Sequence, residues 1–139
     1  MQQQTDNKSL HTMASKEKYT REYFMRSSPH VLYNYISAPS ALAEWFAENV
    51  VNKDGIFTFT WEGADEIAKM VSKKKEESIR FQWEDDEGTD CYWEMAIKID
   101  SLTKDVALMV TDFSEPDEIE ESIQLWDSQI DALKHVIGS

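Results

Sequence analysis

Six apolar residues near the C-terminus, Ile119, Ile123, Trp126, Ile130, Leu133 and Ile137, recur at steps of 4, 3, 4, 3 and 4. That spacing places them on one face of an α-helix about five turns long. Such a face has to be covered, so the rest of the chain must supply a complementary apolar surface. Glu115, Asp117, Glu118, Glu120 and Glu121 crowd the start of this helix, where its dipole is positive, while Lys134 and His135 stand at the negative end. Ser114-Glu115-Pro116-Asp117 reads as a capping box and Gly138 as a left-handed stop, so the spacing predicts a helix from Glu115 to Ile137.

The covering surface is written in alternation. Tyr19, Arg21, Tyr23 and Met25 interleave with Thr20, Glu22, Phe24 and Arg26, which predicts a first strand whose inward face is ambiguous. Ser28 before Pro29 announces a helix carrying Val31, Leu32, Tyr35 and Ile36, and Pro39 ends it. A second short helix is expected from Ala41 to Ala47, presenting Leu42, Trp45 and Phe46. Asn52-Lys53-Asp54-Gly55 is turn chemistry. Strands are then expected at Ile56–Trp61, more weakly at Glu66–Ser72, and at Ser78–Glu84, Cys91–Ile99 and Val106–Phe113. Polar turns at Lys73–Glu77 and Asp85–Gly88 join them, the second as a hairpin. Short strands with tight polar connections make an antiparallel meander. The predicted class is α+β, a curved antiparallel sheet wrapped around the long C-terminal helix, with two short helices after the first strand.

The chain has 139 residues, the size of one domain. Residues 1–16 lack periodicity and read as a disordered tail, with Met13 a second start or a remnant of cloning, leaving 17–139 as the domain. With 14 Lys and Arg against 27 Asp and Glu the net charge is −13, which excludes charge-driven binding to nucleic acid or an anionic membrane and leaves room for a basic protein partner. No apolar run reaches membrane-spanning length, so no insertion is expected. One cysteine, Cys91, and no secretory signal point to a cytoplasmic protein without disulfides.

The order of elements, together with particular residues, resembles the START-like (SRPBCC, helix-grip) superfamily, and within it the single-domain homologues of the Hsp90-ATPase activator's C-terminal domain. The likeness runs over about residues 18–138. Ser28-Pro29-His30-Val31-Leu32-Tyr33 matches the family's first helix, and Leu42, Trp45 and Phe46 match its Leu-x-x-Trp-Phe segment. Gly55 with Phe57 and Phe59, then Ile79, Phe81 and Trp83, match its strands, and Trp126, Ile130 and Leu133 its last helix. Asp54 stands where a second glycine is common, and Asp65-Glu66-Ile67 and Lys73-Lys74-Lys75 replace a glycine and a proline. The resemblance implies a hydrophobic small molecule or lipid held between sheet and helix. It also implies an alternative, a chaperone-linked module docking a basic protein through its acidic surface, and more weakly a polyketide cyclase or aromatase.

The residues themselves offer little catalytic chemistry. His11, His30 and His135 lie far apart in sequence without a metal-ligand spacing, and aligning Gly88 to a calcium loop would make Trp83 its first ligand. No metal or other cofactor is expected. Cys91 shares a face with Trp93 and Met95, which reads as a core thiol. Asp112, in line with Val106, Leu108 and Val110, is the one acid placed on an apolar strand face, and its position at a strand end reads as a turn or cap. No enzymatic role is therefore expected. The candidate pocket residues of the sheet are Phe57, Phe59, Trp61, Phe81, Trp83, Trp93 and Met95; Trp45, Trp126, Ile130 and Leu133 join them from the helices. Alternation leaves two outcomes open: these side chains line a pocket, or they fill it.

Overall fold

The alternating segments do form strands: β1 (Glu17–Met25), β2 (Asn49–Lys53), β3 (Ile56–Trp61), β4 (Ala64–Lys74), β5 (Ser78–Trp83), β6 (Trp93–Ile99) and β7 (Val106–Ser114). This is a computed structural model that describes residues 16–139; the tail reading for residues 1–15, which includes His11 and Met13, lies outside them. The strands make one seven-stranded sheet in the order β1-β7-β6-β5-β4-β3-β2, antiparallel throughout. β2 was hidden in the sequence because it carries only two apolar residues, Val50 turned in and Val51 turned out, on the outer edge of the sheet. Its turn shrinks to Asp54-Gly55, both at positive φ (54° and 88°), with the Gly55 N–H donating to Asn52 Oδ1 at 2.9 Å. Two such residues match the strand twist, which is what a two-residue hairpin requires. β4 is longer than its weak pattern predicts, since a register shift between Met70 and Ser72 leaves Val71 exposed and breaks the alternation. On β1 the ambiguity resolves toward Tyr19, Tyr23 and Met25, which pack on the core, while Phe24 is exposed.

Between β1 and β2 run α1 (Pro29–Ser37) and α2 (Pro39–Leu42). Ser28 caps α1 as expected, its Oγ accepting from the Val31 N–H at 3.1 Å. The helix expected over Ala41–Ala47 does not form. α2 is a single turn, after which the N–H groups of Trp45, Phe46 and Ala47 all converge on the Leu42 carbonyl (2.8–3.3 Å). The chain tightens there instead of extending, and this turns Trp45 and Phe46 inward, both buried.

The long helix α3 spans Ile119–Ile137. The expected capping box is not made: Ser114 is the last residue of β7, its Oγ accepts from Ser122 Oγ (3.0 Å), and Pro116–Glu118 form a 3-10 turn before the helix starts. The C-terminus closes as expected. Gly138 takes φ 75°, and the Ser139 N–H reaches back to the Lys134 carbonyl at 2.8 Å.

The loop between β5 and β6 is no simple hairpin. Glu84–Asp86 form a 3-10 turn that buries Asp86, and the charge is matched by Lys16 Nζ at 2.8 Å. Lys16, read as the end of the tail, is thus tied to the sheet. α3 crosses the concave face and lays Trp126, Ile130 and Leu133 on Phe57, Phe59, Phe81, Met95, Leu108 and Val110. Leu32 and Ile36 of α1 seal one side.

Candidate ligand-binding site

In an antiparallel meander the end of one strand lies beside the start of the next. The ends of β3, β5 and β7 and the starts of β4 and β6 therefore share one end of the sheet. That end carries Trp61, Trp83 and Asp112, with Glu66 and Trp93. The N-terminal half of α3 and the tightened turn after α2 close over them. The result is a cleft of about 460 Å³, within the range of small-molecule sites.

Five aromatic residues form its wall: Phe46, Trp61, Trp83, Trp93 and Trp126. Trp83 stacks on Trp93 with ring centres 5.1 Å apart, and Phe46 stacks on the same indole at 5.2 Å. Trp61 stands across both, at 62° to Trp83 and 67° to Phe46, so the wall has a corner. Leu125 forms an exposed lip, 61% accessible. Phe46 is held by its own carbonyl, which accepts from Trp61 Nε1 (2.8 Å) and Gln129 Nε2 (3.2 Å), so the turn, the sheet and α3 are locked at one atom.

The polar lining comprises Asp112, Glu66 and Gln129. Asp112 corrects the turn-or-cap reading made from its strand-end position. Its Oδ2 accepts from Trp126 Nε1 at 2.8 Å and from the Tyr19 hydroxyl at 3.5 Å, while Oδ1 accepts from the Phe113 N–H at 2.8 Å. It also has company: Glu66 lies two residues before the buried Ala68 on β4, hence on the same concave face, directly opposite Phe59. Among the described residues neither carboxyl forms an ion pair.

Burial pushes the Asp112 pKa up from the ordinary aspartate value, and the hydrogen bonds from Trp126, Phe113 and Tyr19 pull the other way without cancelling it. Tyr19 is raised as well, by burial first and then by the Asp112 charge. The folded protein thus holds the Asp112 proton to a higher pH than the unfolded chain does. Its contribution to stability falls as pH rises from the unfolded value of 3.8 through the raised folded value, and is level above that. Trp126→Phe removes a donor that favours the ionised form. A carbon-detected NMR titration of the Asp112 carboxyl is expected to move further upward in this variant, and a downward move would refute the assignment.

The eleven candidates drawn from the sequence divide. Trp61, Trp83, Trp93 and Trp126 come together at the cleft. Phe57, Phe59, Phe81, Met95, Ile130 and Leu133, each at most 1% exposed, fill the space between sheet and helix instead. Trp45 packs beside Phe46 with its indole N–H on the Tyr35 carbonyl (2.8 Å), outside the cleft lining. Phe46, Glu66, Asp112, Leu125 and Gln129 were not among the candidates. Glu66 carried a signal, a charge in phase with Ala68 and Met70; Leu125 and Gln129 sit off the main apolar stripe and carried none. Among the described residues no three His, Cys, Asp or Glu side chains gather as a metal site, and no helix is long and apolar enough to cross a membrane.

The START-like superfamily domain matches residues 13–139. The chain belongs to the START-like superfamily. START-like domains often bind hydrophobic ligands. A Bacteroides fragilis protein solved by solution NMR is 38% identical, with 88% of this chain and 92% of that one covered and a TM-score of 0.64. The Aha1 dimer from Colwellia psychrerythraea is 12% identical over 85% of this chain and 93% of that one, with a TM-score of 0.70. A conserved protein of unknown function from Enterococcus faecalis is 15% identical over 96% and 83%, with a TM-score of 0.69. The last two likenesses concern the START-like fold alone. No curated protein matches the sequence.

Proposed function

We propose that this START-like domain binds a hydrophobic small molecule, without chemical conversion, in the cleft walled by Trp61, Trp83, Trp93 and Trp126. The observation that carries this reading is the contrast between two regions of the same concave face. Between sheet and helix, Phe59, Phe81, Met95, Ile130 and Leu133 are at most 1% exposed and line no cavity, whereas the aromatic wall at one sheet end borders open volume. A ligand therefore sits at the mouth of the grip rather than along the helix. What supports binding rather than catalysis is that the lining holds no serine, threonine, cysteine, lysine or histidine beside its two carboxyls, and that Asp112 is already engaged by three donors.

Four of the five tryptophans line the cleft, so their indole N–H signals report on it while Trp45 serves as an internal reference. Titration with the neutral probe N-phenyl-1-naphthylamine is expected to shift the four cleft indoles and leave Trp45 in place. Uniform small shifts of all five, or none, would overturn the site. Native mass spectrometry of freshly purified protein, followed by denaturing extraction, identifies any natural occupant.

A further inference from the structure

The polar and aromatic chemistry of the cleft narrows the class of ligand, provided that the cleft is the binding site proposed above. Its lining contains two carboxyl groups and one amide but no lysine, arginine or histidine. The walls offer π faces set in a corner, Trp61 across the stacked Trp83 and Trp93. Indole faces are electron-rich and attract cations, most strongly where water is displaced. A neutral apolar body covering Glu66 would strip water from a carboxylate that has no ion-pair partner among the described residues, a cost that offsets part of its hydrophobic gain. An anion would meet the same two acids and a chain of net charge −13.

We propose that the cleft takes a lipophilic organic monocation, a substituted ammonium whose alkyl groups contact the indole faces while Glu66 and Asp112 supply the balancing charge. A hard metal cation fits poorly, because two carboxyl groups set among indoles do not furnish the six or more oxygen ligands of calcium. A highly charged polyamine fits no better, since Asp112 already accepts from Trp126, Tyr19 and a backbone N–H, leaving Glu66 as the main uncommitted charge. One positive charge inside an apolar envelope matches what remains.

Two probes of nearly identical shape separate charge from hydrophobicity: benzyltrimethylammonium and neopentylbenzene, in which carbon replaces the ammonium nitrogen. Each is titrated into the wild-type protein at pH 7.5, followed by the cleft indole signals, with 4-tert-butylbenzoate as the anionic counterpart. The cation is expected to bind at least about tenfold more tightly than its neutral isostere, consistent with an aromatic cage reinforced by carboxylates. The benzoate is expected to leave the indoles unshifted. Equal or tighter binding of neopentylbenzene, or binding of the benzoate, overturns the cation assignment while leaving the hydrophobic site standing. If none of the three shifts the indoles the cation assignment falls, and if N-phenyl-1-naphthylamine leaves them unshifted as well the binding site falls with it.

Discussion

Replacing Trp93 by alanine is expected to destabilise the fold by about 3–5 kcal/mol, the range for deleting a large buried aromatic. Trp93 is 1% exposed and sits at the centre of the ring cluster, 4.4 Å from Phe81, 5.1 Å from Trp83 and 5.2 Å from Phe46 between ring centres. Phe59 and Trp126 complete its surroundings at 5.8 and 6.1 Å. It ties the meander to the turn after α2 and to α3, so the cavity left behind borders three elements that cannot all collapse inward. Trp93→Phe separates ring stacking from the indole N–H, which is buried with no hydrogen-bond partner. The phenylalanine keeps much of the stacking and removes that donor, so its cost is expected to stay below about half that of alanine. Urea denaturation monitored by circular dichroism reads both. A loss under about 1.5 kcal/mol for alanine, more in keeping with a volume-conserving swap, would show that the cluster is not the centre of the core.

Glu66→Lys is expected to weaken benzyltrimethylammonium binding by about thirtyfold or more while stability hardly changes. The substitution turns an attraction into a repulsion. At roughly 7 Å and an effective dielectric near 40, each such pair amounts to about 1.2 kcal/mol, so reversing the sign changes binding by about twice that. Glu66 is exposed and its pairing across the sheet is through the backbone with Phe59, so the fold is expected to stay within about 0.5 kcal/mol of wild type. Isothermal titration and a parallel urea melt measure the two effects. Unchanged affinity for the cation would remove Glu66 from the site.

Much of the architecture was legible because its signals are local. The six-residue stripe predicted α3, and the alternation of Phe57 with Phe59, of Phe81 with Trp83, and of Trp93 with Met95 predicted the strands that bear them. Local pattern and structure part where a tertiary contact competes with a local signal. Ser114 to Asp117 spelled a capping box, yet the ladder with β1 holds Ser114 in β7, and the helix begins only after Glu118. The pattern around Trp45 and Phe46 predicts a helix, yet three amide groups share one carbonyl there and the chain turns. β2 contributes an inward valine and an outward one, too little alternation to show.

The candidate site was legible by composition and not by position. Periodicity says which side of a strand a residue faces, so it grouped Phe57, Phe59, Trp61, Phe81, Trp83 and Trp93 on the concave face. It does not say where along that face the helix lies. That is set by how far α3 reaches across the sheet and by the turn that brings in Phe46. The same crossing covers Ile130 and Leu133 and leaves Trp126 at a mouth, and it aligns Asp112 with the Trp126 indole at 2.8 Å, a contact between residues on different elements.

Acting alone, the sequence determined the long helix, most of the strands, their antiparallel meander and the resemblance to the superfamily, because backbone periodicity and turn chemistry are properties of neighbouring residues. Which aromatics became core and which became wall, and the fate of the two carboxyl groups among them, only the tertiary structure decided. Burial and partnering depend on the distance between strand ends and helix faces, and no local pattern encodes that distance.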